Sequence, residues 1–472
     1  MLPPINNKLG VQFEQLIVAG GDDRLDLLAS GLNRYHVRPT EFEGVFNRAS
    51  CTCSPFSPDG YEAATELYTR LDHDVFEGVL AEHTRTLKEL INYDGQDRFH
   101  VFYAPSGSDL CYYPLLFFRL IHRERKIFNV ITCPEELGSG SNLASSGRYY
   151  FTHNQMGQRV NFEGLIGKQG EIESASFAAR SHDGKIIDHW QEILTTIHDK
   201  YRSHAVNANL VIGSKSGIEN NVTIVSQAPE DVLWTVDLCQ FRASRLLING
   251  LIGMNCLVML TGSKFYQGPP FCAVLLVPKS ITQGFRVPDR DLVAPFANVF
   301  SRYDIPEQFS ELRRHLPDFR NYGLLLRWHA ALHEMKAMSK LDGHEVGDAI
   351  RQWNEFVIGR LGASQQFQLM PDQHITNKTI VSFRVKKNDG SFFSHVELSR
   401  LYDSICQRDD LAIGDCRRAL IGQPVKYGDK SFIRIALGAS DVRQFIQDGT
   451  DFTKDGRLVE IVEEIARERQ WN

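Results

Sequence analysis

The sequence predicts an α/β fold: a large domain built on a mainly parallel sheet, joined to a smaller C-terminal α+β domain. Two observations carry this expectation. Short apolar runs alternate with longer amphipathic stretches from about residue 95 to 285, the pattern of strands separated by crossover helices. After about 310 the pattern turns helical and strand-like segments become few. With 472 residues the chain can bury a large core and hold two or three domains.

Residues 1–60 are irregular, rich in Gly, Ser and Asn, and read as an N-terminal arm. A helical pattern runs over 61–92 and opens a large domain extending to 310. Its apolar runs fall at 99–104, 127–132, 209–212, 232–236, 256–260 and 271–277. The step from Lys264 to Phe271, through Gly268-Pro269-Pro270, is too short for a crossover helix, so one strand is expected to run antiparallel. The small domain, 311–472, shows helical patterns at 319–341 and 347–361, a strand-like 379–386, a helix near 395–408, a strand-like 432–437, and helices at 439–447 and 457–469.

Composition narrows the function. Net charge is −6 with no long basic block, which argues against nucleic acid or an anionic membrane surface as the main partner. Residues 1–8 lack the charged and apolar regions of a leader, and no apolar stretch approaches the length needed to span a bilayer. Nine cysteines, an odd number scattered through strand-like segments, read as reduced core residues of a cytoplasmic protein.

Ligands of open α/β sheets bind outside the carboxyl ends of the strands, so the residues just past each apolar run locate a site. The first run leads into Ser106-Gly107-Ser108-Asp109, a small hydroxyl-rich turn before a helical pattern, suited to a phosphate. Next come Glu135-Glu136, then Ser214-Lys215-Ser216-Gly217, then Asp237 with Gln240 and Arg242, and last Thr261, Ser263 and Lys264. A lysine and an aspartate ending apolar strands are costly unless something binds them. Pyridoxal phosphate needs that pair, an amine to meet its aldehyde and a carboxylate to meet its ring nitrogen. On this reading Lys264 forms the imine and later moves the substrate's α-proton, and Asp237 pairs with the ring nitrogen. Gln240 donates to the phenolic oxygen. Ser106, Gly107, Ser108 and Ser263 hold the phosphate, with Asp109, Glu136 and Ser214 also lining the cofactor pocket.

At these residues the chain resembles fold-type I pyridoxal-phosphate enzymes of the class V aminotransferase and cysteine desulfurase superfamily. The family's V-D-x-x-Q segment stands as Val236-Asp237-Leu238-Cys239-Gln240. Its S/G-x-K-x-x-G-P segment stands as Gly262-Ser263-Lys264-Phe265-Tyr266-Gln267-Gly268-Pro269, with one extra residue before the glycine. The resemblance covers about 95–285. It implies a seven-stranded-type sheet, a homodimer with active sites at the subunit interface, and a small domain whose arginine holds the substrate carboxylate. Arg434 is the best match for that arginine and Arg384 the second. For the arm, with Asn33, Tyr35, Ser50 and Thr52, two readings stand: a surface-packing role, and the lining of the substrate channel that the resemblance implies. Two departures stand out: Glu135-Glu136-Leu137 occupies the place of the family's ring-stacking histidine, and Cys406 and Cys416 lie in no reactive-loop motif. Desulfuration is therefore not expected. The expected activity is a lyase, a carbon–carbon or carbon–sulfur bond reaction, or a transfer in specialised amino-acid metabolism. The alternatives are an ordinary aminotransferase and a non-catalytic binding protein of the same fold.

Three other patterns carry less. Gly138-Ser139-Gly140-Ser141-Asn142-Leu143 lacks the last small residue of a dinucleotide fingerprint. His329 and His333 share a helix face without the glutamate of a zinc protease, and Cys51-Thr52-Cys53 has no second ligand pair.

Overall fold

A computed structural model describes residues 11–370 and 378–468; the leader reading of residues 1–8 and the last residue of the expected 457–469 helix lie outside them. Twelve strands are described, forming two sheets. The larger is made of β2 (Phe99–Ala104), β3 (Lys126–Thr132), β4 (Ile172–Phe177), β5 (His204–Val211), β6 (Leu233–Leu238), β7 (Leu257–Thr261) and β8 (Ala273–Pro278), in the order β2-β8-β7-β6-β5-β3-β4. Only β8 runs against its neighbours, as the short connection after Lys264 requires.

Both faces of this sheet are buried, which is why its central strands read as continuous apolar runs. Val258 and Leu260 of β7 join one hydrophobic cluster with the helices Phe76–Ile91, Trp190–Lys200, Arg245–Gly253 and Tyr322–Met338. Leu257 and Met259 join another, under the helix Tyr112–Ile121 and segment 293–316. Each such side chain contributes about 1.5–3 kcal/mol on burial. β4 escaped the sequence pattern because it is a half-exposed edge strand, Ile-Glu-Ser-Ala-Ser-Phe, with no apolar run. The 61–92 helical pattern is two helices, Pro58–Arg70 and Phe76–Ile91. They are separated where Asp72 Oδ1 accepts from the backbone of Asp74 and Val75 at 3.0 and 2.9 Å.

The smaller sheet runs β1-β11-β12-β10-β9, from β1 (Val45–Arg48), β9 (Phe367–Leu369), β10 (Ile380–Val385), β11 (Arg418–Tyr427) and β12 (Lys430–Ala436). β1 comes from the N-terminal arm and pairs in parallel with β11. Val381, Phe383, Val385, Ile433 and Ile435 face a core shared with the helices Gly343–Ala363, His395–Cys406, Ala439–Asp448 and Thr453–Glu468. The alternate positions, Ser382, Arg384 and Arg434, share the opposite face by the period-two rule of strands. No helix among the described residues is long and apolar enough to cross a membrane.

Arg48 locks the arm to the small sheet's helices. Its Nε and Nη2 donate to Asp455 at 2.7 and 2.9 Å, and Nη1 donates to Asp441 at 2.9 Å. Trp353 Nε1 adds a fourth bond, to Asp455 at 2.8 Å. Removing one partner of a buried ion pair leaves its charge uncompensated. Arg48→Met is therefore expected to lower the unfolding free energy by about 3–5 kcal/mol, measured by denaturant titration followed by circular dichroism.

Candidate active site

The expected residues converge where the sheet ends. β5, β6 and β7 run side by side in parallel, with Val211 opposite Asp237 and Asp237 opposite Met259, so the loops carrying Ser214, Gln240 and Lys264 leave the sheet together. The Lys264 loop folds back tightly: Gly262 N–H donates to Cys272 O at 3.0 Å and Gly268 N–H to Gly262 O at 2.9 Å. A side chain at Gly262 would meet Ala331 at 2.6 Å and Cys272 at 2.9 Å, so the loop lies flat against the helix Tyr322–Met338. Lys264 itself stays partly open, and its Nζ has no hydrogen-bond or ion-pair partner among the described residues. Asp237 is also partly open, with Oδ1 accepting from Cys239 N–H at 2.7 Å.

The turn after β2 closes over these ends. A Cβ at Gly107 would come within 2.8 Å of Cys239 Sγ, so only glycine lets the turn approach β6. The N–H groups of Gly107 and Ser108 have no acceptor among the described residues. The N–H and hydroxyl of Ser106 are occupied: both donate to Asp109 Oδ2, at 2.9 and 2.8 Å. Behind the turn lie three residues that sequence reasoning did not single out. Arg24 donates to Ser106 Oγ at 2.6 Å and to Asp22 Oδ2 at 2.6 Å, and Tyr150 donates to Asp109 Oδ1 at 2.7 Å. Burial and the neighbouring Asp22 push Asp109 up to about 6.

The structure gives the remaining expected residues definite partners or leaves them open. Ser263 Oγ and Gln240 Oε1 are buried without a partner, while Gln240 Nε2 donates to Cys51 O at 3.1 Å. Glu136 is buried under the strand ends and accepts from Arg180 Nε at 3.0 Å and from Ser216 N–H at 3.0 Å. The Ser214 hydroxyl donates to the same carboxylate. Burial alone would raise the Glu136 carboxyl, but Arg180 and the two serines outweigh it and hold it below the ordinary value. Arg434 reaches across from β12, donating to Lys215 O at 3.1 Å, Thr52 Oγ1 at 3.0 Å and Gln423 O at 3.0 Å. It makes no ion pair with a carboxylate of the described residues. Arg384 lies further along the same sheet face, its guanidinium 3.3 Å from the Phe392 ring centre.

In the arm, Asn33 Oδ1 accepts from the backbone of Tyr35 and Val37 at 2.9 and 3.1 Å, and the Tyr35 ring packs edge-on against Phe271. These two shape the arm, while Thr52 and the Cys51 carbonyl touch Arg434 and Gln240. Cys406 sits in the small-domain core, its thiol pushed by burial to about 12. His329 bonds His83 at 2.9 Å. A separate cavity of about 590 Å³, between the helix Phe76–Ile91, β2 and segment 303–308, is lined by none of the strand-end residues.

No protein-family model matches the chain, and no curated protein matches it in sequence. Solved structures do match. Alanine–glyoxylate aminotransferase from Nostoc sp. is 11% identical with a TM-score of 0.57, the match covering 91% of this chain and 97% of that one. Ureidoglycine–glyoxylate aminotransferase from Bacillus subtilis is 13% identical with a TM-score of 0.55, over 90% and 94%. The cysteine desulfurase CsdA from Escherichia coli is 11% identical with a TM-score of 0.55, over 89% and 95%. The chain therefore has the fold of these aminotransferases and desulfurases, along nearly its whole length. The fold class expected from the sequence is the one found.

The Glu136–Arg180 pair yields a prediction. The folded Glu136 carboxyl is depressed below its ordinary 4.5, so its stabilising contribution is complete above that value and is lost as the pH falls below it. The stability advantage of the wild type over Glu136→Gln should thus shrink on acidification below pH 4.5. Parallel denaturant titrations at several pH values measure it.

Proposed function

We propose that this chain is a pyridoxal-phosphate-dependent enzyme acting at the α- or β-carbon of an amino acid. One observation carries the reading: unpartnered polar groups of complementary kinds meet at the strand ends around Lys264. The Gly107 and Ser108 N–H groups fit an anion, and among the described residues the buried Ser263 Oγ and Gln240 Oε1 and the Lys264 Nζ have no partner. Native proteins rarely leave buried polar atoms unsatisfied, so such a set marks a place for a ligand. The donors, the carboxylate and the amine fit pyridoxal phosphate, and the fold shared with aminotransferases supports that choice.

Bound there, the cofactor supplies an aldehyde and an electron sink for the pair left on the substrate carbon. The chain's own groups do the rest. The N–H groups of Gly107 and Ser108 hold the phosphate at the start of a helix, where the dipole favours negative charge. Asp237 would meet the ring nitrogen and favour its protonated form. Lys264, the amine at the strand ends, would hold the cofactor through its aldehyde and would take or return the proton at the substrate's α-carbon. Arg434 positions the α-carboxylate with the Nη1 N–H that its contacts to Lys215, Thr52 and Gln423 leave spare. Asp109, at about 6, can take up a proton as the phosphate approaches, removing one of the negative charges behind the turn. A lyase or transfer reaction on an amino acid fits this set best, since Cys406 is sealed in the core and Cys416 is buried beside Lys454.

The test is spectroscopic. Purified protein supplied with pyridoxal phosphate should show a visible absorbance band that borohydride reduction removes, leaving the reduced cofactor on the Lys264 peptide. Lys264→Ala should lose the band. Asp237→Ala should keep part of the cofactor and lose nearly all turnover. A band that persists in Lys264→Ala would overturn the assignment.

A further inference from the structure

The strand ends hold one more cation than the proposed chemistry uses. Lys215 lies past β5 in the turn 213–217, and its carbonyl accepts from Arg434 Nη1 at 3.1 Å. Its Nζ makes a single long contact, donating to Glu135 O at 3.3 Å, so two of its three N–H groups lack an acceptor. Burial first, then the charges of Arg434 and Lys264, pull the amine down to about 7. Three cations from β5, β7 and β12 thus crowd one another.

The acids nearby are committed. Glu136, below Lys215, is held by Arg180, Ser214 and Ser216. Asp237, on the neighbouring strand end, is bonded to Cys239 N–H and, on the proposed reading, faces the ring nitrogen. The Cys51 thiol of the arm is the other titratable group facing Lys215. Close by, Ser263 Oγ and Gln240 Oε1 are 1% and 3% exposed at residue level and have no partner. With the cofactor phosphate on Gly107 and Ser108, and the α-carboxylate on Arg434, no anion remains for Lys215. Lys215 is partly exposed, and in its protonated form the enclosed part of the ammonium lacks a counter-charge, which is costly.

We infer that Lys215 receives a second anionic group of the substrate, so that this site selects amino acids whose side chain ends in a carboxylate or sulfinate. The inference rests on the proposed function and names its substrate class. A second cation beside Arg434 distinguishes a dianionic substrate from a monoanionic one through differential pairing rather than through pocket volume. The same residues make binding pH-dependent. Above about pH 7 the free Lys215 amine is mostly neutral, and an arriving anion raises its pKa, so binding takes up a proton and weakens as the pH rises.

The test uses cofactor-loaded protein and two ligands that cannot react, succinate and the monocarboxylate butyrate, titrated by calorimetry in buffers of different ionisation enthalpy. The pH is set about one unit above the amine's value. Wild type should prefer succinate and take up protons on binding it. Lys215→Met should weaken succinate by about tenfold or more, abolish the proton uptake and leave butyrate unchanged. Lys215→Arg should keep the preference without the uptake. An unchanged succinate preference in Lys215→Met overturns the inference. So does intact succinate binding with turnover reduced equally for acidic and neutral amino acids, which would make Lys215 a proton carrier instead. Absence of the reducible band from the wild-type protein would sink the proposed function itself, a result read separately from these titrations.

Discussion

Arg434 has to be solvated by the protein, and the way this is done holds the site together. Its guanidinium is almost fully enclosed, yet it meets no carboxylate and spends its donors on Thr52 of the arm, Gln423 of β11 and Lys215 beyond β5. Hydrogen bonds to a charged group are worth about 1.5–3 kcal/mol each, so these contacts offset much of the desolvation. They also tie three distant parts of the chain to one point. Arg48 shows the other solution, two carboxylates and no charge to spare. The contrast separates these two of the buried arginines: Arg48 is neutralised by two carboxylates, whereas Arg434 keeps its positive charge beside the strand ends.

The same logic distinguishes the two carboxylates that flank those ends. Glu136 is held under the strand ends by Arg180, with Ser214 and Ser216 completing its coordination. Its charge is fixed and its oxygens are occupied, so it organises the 213–217 turn. Asp237 has a single short backbone contact and remains partly open. On the proposed function, that available acid is the partner of the cofactor's cationic ring.

Burial decided which parts of the fold and site were legible in the sequence. The central strands of the large sheet are apolar on both faces, so they appear as runs, and the polar residues just past them mark the strand ends that carry Lys264, Asp237 and Ser106. β4 is a half-exposed edge strand, and β11 carries Pro424 and a bulge between Gly422 and Val425, so neither shows a clean period. β1 is only four residues long, and its partner lies in the C-terminal half; local pattern cannot reveal a pairing at that separation. Arg24, Tyr150 and Arg180 were hidden for a related reason. Each sits in an irregular segment with no period to mark it, Tyr150 between two other aromatics, and becomes informative only when the fold brings it against Ser106, Asp109 or Glu136.

The turn after β2 shows how such hidden partners alter chemistry. Taken alone, Ser106-Gly107-Ser108 before a helix is an ordinary anion site. In the fold it is backed by Asp22, Arg24 and Asp109, a group with more acid than base if every carboxyl is ionised. A dianion would be opposed by that excess. The structure relieves the opposition in two ways: Arg24 is shared between Asp22 and Ser106, and Asp109, buried beside Asp22, is shifted to about 6, close enough to neutrality to accept a proton when an anion arrives. Tyr150 bonds Asp109 Oδ1 while Ser106 occupies Oδ2, so the carboxyl keeps its position in either protonation state. The N–H groups of Gly107 and Ser108 stay available throughout, because Asp109 is satisfied by Ser106 and Tyr150 and does not compete for them.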